Sequence, residues 1–314
     1  MNNGRKIAEG GALLALYSIL LLLTVYFPLL GLPLFFFLPV PFILTAIKHD
    51  LGWSIGFLLV ACGLSALFGT ITAIPMALVT GATGVTIGAL IRRNKPAYLV
   101  YVGAVLILII GIVALYGAAA WFFDVDFIGD FISMLRDSVG KSLDMMTAMG
   151  QEVPEDFTKG INDWVDMLNT LLPALLVATS MVMAALIVLA SNPFVKRFSE
   201  KKVSWPPLRE LQLPKSLLWY YLITMVAGFF LRPEEDSYLY MVIANLLLIL
   251  QLLMLLQGYS LLFFFSHIKG WAKAVPVIIL VLSLFMPFFQ AFIRIAGIVD
   301  LGFPIRDALR NKKQ

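Results

Sequence analysis

Apolar runs long enough to cross a membrane alternate along this chain with short charged segments. They cover residues 7–27, 32–47, 52–93, 97–123, 171–190, 215–231, 238–266 and 274–293, and the 52–93 run reverses near Thr70 to Pro75 and so counts as two. A helix rises 1.5 Å per residue, so roughly 20 residues cover a hydrocarbon core of about 30 Å. The pattern predicts an all-α fold, a polytopic transmembrane helix bundle of eight or nine spans. Pro28, Gly31 and Pro33 end the first span, and Pro33, Pro39 and Pro41 make the outer half of the short second one irregular. Irregular backbone at that depth has to be buried in protein or line a cavity, because lipid offers no hydrogen bonds.

Two helix faces carry small side chains. On the first helix, Ala8 and Ala12, and likewise Gly11 and Ala15, are four residues apart; in the second half of the glycine-rich hairpin, Ala77, Gly81, Gly84 and Gly88 follow a 4, 3, 4 spacing. In lipid, helices associate through close van der Waals contact, and such stripes let a neighbour approach. These eight residues are the candidate partner interface. Ordinary packing inside the bundle is the alternative, and for the hairpin stripe it is the favoured one.

One sizeable polar region interrupts the apolar pattern. Between Asp124 and Asp166 ten acidic residues face three basic ones, a net charge of −7. Ile128, Ile132, Leu135, Val139, Leu143 and Met146 line one face of an amphipathic helix; Gly150 to Pro154 break it, and Phe157, Ile161, Trp164 and Leu168 define a second. The pair is expected as an extracytoplasmic lid, with a position on the membrane surface as the alternative. The carboxylates match no recognised cation-site spacing, so no metal is assigned. The chain thus divides into a transmembrane region over 1–123, the acidic helical segment over 124–170 and a second transmembrane region over 171–314.

Composition agrees with the pattern: 61% of residues are hydrophobic, 13% are charged and the mean hydropathy is +0.93. The net charge of +4 does not point to nucleic acid, because Lys48, Arg92, Arg93, Lys95, Lys196, Arg197, Lys201, Lys202, Lys269 and Lys273 sit in short clusters between apolar runs. Positive-inside logic places these clusters, and the N-terminus, on the cytoplasmic side of the membrane; the family resemblance named below implies a bacterial cell (plasma) membrane. Arg5 and Lys6 precede an apolar run too long for a signal peptide, so it is read as the first span. The single cysteine, Cys62, excludes an intrachain disulfide. One conflict stands: nine crossings leave Arg306, Arg310, Lys312 and Lys313 outside. A fold-back near Pro287, an earlier span that does not cross, or an exceptional tail each resolves it.

No phosphate-cradling loop, zinc-binding His-Glu-x-x-His, nucleophile elbow or Cys-x-x-Cys occurs, so neither enzyme nor cofactor is implied. His49 is read as a solvated loop residue in preference to a proton relay. Trp121, Asn245, Gln290 and Arg294 are the candidate ligand-binding residues. Their alternative roles are an interfacial aromatic for Trp121, an interhelical hydrogen bond for Asn245, and snorkelling to the interface for Arg294, which lies one turn from Gln290.

The opening Arg5-Lys-Ile-Ala-Glu-Gly-Gly-Ala-Leu-Leu-Ala15, the proline-rich second span, the glycine hairpin and the terminal Arg294-Ile-Ala-Gly-Ile-Val-Asp-Leu-Gly302 resemble the YybS family of bacterial multi-pass membrane proteins, whose function is uncharacterised. The first 120 or so residues also resemble the S components of energy-coupling-factor transporters. That likeness implies an S-component-like N-terminal part in which Ala8 and Ala12 meet a membrane coupling subunit. S components are shorter and have six spans, so no ligand pocket transfers. The family resemblance further implies a cyclic-dinucleotide phosphodiesterase as a possible partner. The leading expectation is a non-enzymatic subunit that binds a small molecule or docks a partner in the bilayer. The alternative is a scaffold for cell-envelope assembly or cyclic-dinucleotide signalling without a transported substrate.

Overall fold

A computed structural model describes residues 3–69, 73–150, 154–199, 205–235, 237–306 and 309; Thr70 in the expected reversal and the basic residues Lys201, Lys202, Arg310, Lys312 and Lys313 lie outside them. The described residues form helices and no strand. Among the described residues seven stretches are long and apolar enough to cross a membrane: Gly4–Tyr26, Leu29–Lys48, Leu51–Gly69, Ala73–Arg92, Ala97–Phe123, Asp156–Phe198 and Tyr238–Lys269. Two further apolar helices, Ser216–Leu231 and Ala274–Phe285, are shorter. The all-α polytopic bundle is therefore as expected from the pattern. The chain packs as two compact units, Met1–Phe131 with Thr179–Trp205, and Ile132–Ala178 with Pro206–Gln314.

The first unit contains α1 (Asn3–Tyr26), α2 (Pro28–Phe35), α3 (Val40–Lys48), α4 (Leu51–Gly69), α5 (Ala73–Arg92) and α6 (Ala97–Phe123). Its centre is α3, in which every residue from Val40 to Ile47 is buried. The prolines do break the second span. Between α2 and α3 the backbone closes by tight turns, with Phe37 N–H donating to Leu34 O at 2.9 Å, Leu38 N–H to Phe35 O at 3.2 Å and Val40 N–H to Phe37 O at 3.0 Å. Leu38 and Pro39 are buried, which meets the requirement that freed backbone be shielded from lipid. Across α1 and α4, Tyr17 and Ser65 share a buried 2.7 Å hydrogen bond, and the Tyr17 and Phe42 rings meet edge-on at 5.0 Å.

α7 (Phe127–Ala148) and α8 (Glu155–Phe198) follow. On α7 the expected face is the less exposed one, with Ile132 its buried residue. The expected face of the second amphipathic helix is turned: Phe157 and Trp164 are exposed while Val165 is buried. Ile161, Val165 and Leu168 hold the inner side, leaving the Trp164 ring at its edge. The expected boundary at residue 170 falls inside α8, one unbroken helix of 44 residues. At 1.5 Å per residue it is about 66 Å long, twice a hydrocarbon core, so its polar start projects beyond the apolar part.

The second unit adds α9 (Ser216–Leu231), α10 (Tyr238–Lys269), α11 (Ala274–Phe285) and α12 (Pro287–Gly302), with a single 3-10 turn at Leu208–Glu210. Two glycines let the backbones of α10 and α12 meet. A Cβ on Gly258 would lie 1.9 Å from Ile293 O, and one on Gly297 would lie 2.0 Å from Met254 O, both impossible for any other residue without a shift. Ile293, Gly297, Asp300 and Arg306 each reach a residue between Met254 and Ser260, within two turns of α10. With α11 and α12 only about 18 and 24 Å long, the last apolar run folds back at Pro287 and ends beside the connector that enters α9.

Candidate functional site

The two small-residue faces have different fates. On α1, Gly10 packs against the Trp53 ring and Tyr17 and Leu21 are fully buried, so that side of the helix faces the unit. Ala8, Gly11, Ala12 and Ala15 lie on the opposite side and are exposed. At the start of this face Glu9 pairs with Arg5 at 3.2 Å and with Lys48 at 3.5 Å.

On α5, Ala77, Gly81, Gly84 and Gly88 are all buried. A Cβ on Gly84 would stand 2.6 Å from Pro39 O, and one on Gly88 2.5 Å from Ile43 O, so the broken span and α3 lie directly on the stripe. The groove of these four residues is occupied by the same chain, which is the packing alternative. The stripe is the device that buries the interrupted second span.

The ligand candidates fall in both units, with Asn245, Gln290 and Arg294 in the second. Trp121 belongs to the first unit and is 85% exposed at the end of α6. Asn245 is consumed by structure: its Oδ1 accepts from Ala174 N–H at 2.8 Å, and its Nδ2 donates to Thr170 O and to Met241 O, each at 2.7 Å. Ala174 N–H and Thr170 O are the i and i−4 groups of a helical ladder bond beside Pro173, whose ring disturbs the ladder. The Asn245 amide therefore pins α10 to the proline-weakened turn of α8, as side chains do where proline is tolerated in membrane helices. Gln290 and Arg294 are half-buried on α12, and among the described residues Arg294 has no ion-pair partner.

The buried charge is another arginine. Arg306, 3% exposed, pairs with Asp300 at 2.6 Å, its Nη1 donates to Arg209 O at 3.0 Å, and its Nη2 donates to Ser260 Oγ at 3.0 Å. Gln257 Nε2 donates to Asp300 Oδ2 at 2.5 Å, while Gln257 Oε1 accepts from Leu213 N–H at 2.9 Å. Ser260 Oγ donates in turn to Leu208 O or Leu211 O, at 2.7 and 2.6 Å. One network thus ties the connector, α10 and the end of α12. It borders a cavity of about 280 Å3 lined by Glu210, Gln212, Leu213, Lys215, Gln257, Asp300, Phe303 and Arg306 among others. The sequence held one signal for it: Arg306 was among the basic residues that disobeyed the charge rule.

His49 also departs from its expected place in solvent. It is 5% exposed, its ring lies 5.7 Å from that of Trp53, and neither His49 Nε2 nor Trp53 Nε1 has a hydrogen-bond partner among the described residues. Burial holds its pKa below the usual histidine value, against the pull of Glu9. Asp126, at the start of α7, is held below the usual carboxylate range by the Gly129 N–H and the Tyr116 hydroxyl.

Among the described residues no group of three or more His, Cys, Asp or Glu side chains could hold a metal ion. No solved structure matches the chain. The uncharacterized protein YybS of Bacillus subtilis (strain 168) is 31% identical over 317 residues, covering 99% of this chain and 100% of the relative. A family model described as predicted membrane protein (DUF2232) matches residues 15–301. Neither match carries an energy-coupling-factor assignment. With a full-length relative and a family model over most of its length, the chain belongs to the YybS-like family of predicted membrane proteins.

Proposed function

We propose that this chain is a non-enzymatic docking subunit of the cell membrane, its N-terminus cytoplasmic, that receives a membrane partner on the outer face of α1. One observation carries the reading: Ala8, Gly11, Ala12 and Ala15 are exposed, whereas the stripe on α5 and the glycine pair of α10 and α12 are used up inside the chain. A face left to lipid gains nothing from small residues, since acyl chains pack as well on leucine. A second helix gains close backbone approach. The likeness of this face to the coupling surface of S components supports the same assignment, and the Arg5–Glu9–Lys48 cluster provides polar contacts at its end.

Photocrosslinking in native membranes tests the reading. A benzoyl-phenylalanine at Ala12 is expected to give a discrete adduct with one membrane protein, and the same probe at exposed Val113 on α6 is expected to give lipid adducts only. A coupling subunit in the adduct makes the complex a transporter; a cyclic-dinucleotide phosphodiesterase or an envelope enzyme makes it a scaffold. Equal labelling from both positions would contradict docking through α1.

A further inference from the structure

The cavity bordered by Asp300 and Arg306 offers donors and one positive charge with no ion-pair partner among the described residues. Of the charges that line it, Asp300 is met by Arg306 at 2.6 Å and Glu210 by Arg209, outside the lining, at 3.7 Å, whereas exposed Lys215 has no ion-pair partner among the described residues. Hydrogen-bond capacity points the same way. A guanidinium carries five N–H groups and a side-chain amide two. Arg306 Nη1 donates only to Arg209 O, and Gln257 Nε2 only to Asp300 Oδ2, so each keeps one N–H without an acceptor among the described residues. Asp300 Oδ2, by contrast, already accepts from Arg306 Nε and Nη2 and from Gln257.

Gln257, Asp300 and Arg306 have little exposure, so the donors are held in place by the surrounding network and are not surface groups that happen to converge. Remaining buried donors call for an acceptor. The space, about 280 Å3, equals roughly nine water volumes and admits a compact oxyanion with part of its hydration. The cavity lies where α9 begins and α12 ends, and the ends of membrane helices are where headgroups are met.

We propose that this cavity binds a phosphate group, with Lys215 supplying the charge and Gln257 and Arg306 the directed N–H donors. A phosphate accepts from several directions at once, and both lysine and arginine are suited to it. The group comes either from the headgroup of an anionic phospholipid or from free phosphate. The pairing of Arg306 with Asp300 keeps the guanidinium oriented, so the site is preformed and does not depend on the ligand to assemble.

Native mass spectrometry of the purified full-length chain, delipidated in a neutral detergent, distinguishes the outcomes. The probes are phosphatidylglycerol, diacylglycerol and inorganic phosphate. One phosphatidylglycerol or one phosphate is expected to stay bound, and no diacylglycerol. Phosphatidylglycerol that phosphate cannot displace identifies a headgroup site; phosphate binding alone, or displacement of the lipid by phosphate, identifies a site for the free ion. Lys215→Gln is expected to weaken binding about tenfold, the loss of one charge-assisted hydrogen bond, while Lys273→Gln at the start of α11 leaves it unchanged. Both lysines are exposed, so both variants fold, which unchanged gel-filtration profiles check. Absence of binding by either phosphate probe, or equal loss in the two variants, overturns the proposal.

Discussion

The outer face of α1 and the inner face of α5 present nearly the same pattern to a reader of the sequence, small residues at four- and three-residue spacing, yet one is bare and the other filled. On α5 the glycines admit a carbonyl-bearing, proline-broken segment that lipid could not have accommodated. On α1 nothing from the described chain covers Ala8, Gly11, Ala12 or Ala15. Small-residue spacing therefore identifies a surface built for close approach, and only the three-dimensional fold says whether the approach is already made. A filled face should respond to added volume by losing stability, and a bare face should respond by losing an association.

The largest effect is expected on the filled face. Gly84→Ala and Gly88→Ala each drive a methyl group into a main-chain oxygen, and overpacking of this kind costs about 1–3 kcal/mol. Each should lower the melting temperature in detergent, the double variant more than either. Gly63→Ala on α4 is the control: nothing lies within 4 Å of its added Cβ, so the gain in helix propensity, up to about 1 kcal/mol, should leave stability equal or higher. Equal melting of Gly63→Ala and Gly88→Ala would dissolve the distinction between the faces.

Asn245→Leu comes next. Removing the amide strips partners from Ala174 N–H and Thr170 O, and hydrogen bonds between membrane helices contribute about 0.6–2 kcal/mol. In a Pro173→Ala background the cost should shrink, because α8 can then close its own ladder. An unchanged cost would show that Asn245 contributes by packing and not by repairing the proline-weakened turn.

The helix ends and the apolar face of α7 were legible in the sequence because both follow from local rules, breaker residues and a 3.6-residue period. What closes the two glycine contacts was not. Gly84 meets Pro39 and Gly297 meets Met254 across 45 and 43 positions, and no local pattern encodes such pairings. Arg294 is a ligand candidate in the sequence through its place one turn from Gln290, but the buried ion pair among the described residues is Asp300 with Arg306, assembled with Arg209 and Ser260 from distant segments. His49 looked like a loop residue between Lys48 and Asp50, and it is in a loop; the ring of Trp53, one turn into α4, covers it.

That burial gives the smallest of the expected effects, a dependence of stability on pH. The folded-state pKa of His49 is depressed, so the unfolded chain takes up a proton first as the pH falls. Stability should be constant above about pH 6.5, the ordinary histidine value, and decline below it toward the folded-state pKa. Glu9, Asp50, Lys6 and Lys48 surround the ring and modulate the decline without reversing it. Melting temperatures measured across this range should fall in the native chain and flatten in His49→Gln. A decline of the same size in both would assign it to other groups.

The most direct test of docking through α1 joins stability to association in one experiment. The Ala8→Leu, Ala12→Leu double variant and the native chain are purified from native membranes in mild detergent, each melted and each examined by mass spectrometry for co-purifying proteins. Docking predicts equal melting temperatures, because no described part of the chain packs on that face, together with loss of a membrane protein that accompanies the native chain. Retention of the same partner by the variant, or a lowered melting temperature with no partner lost, would contradict it.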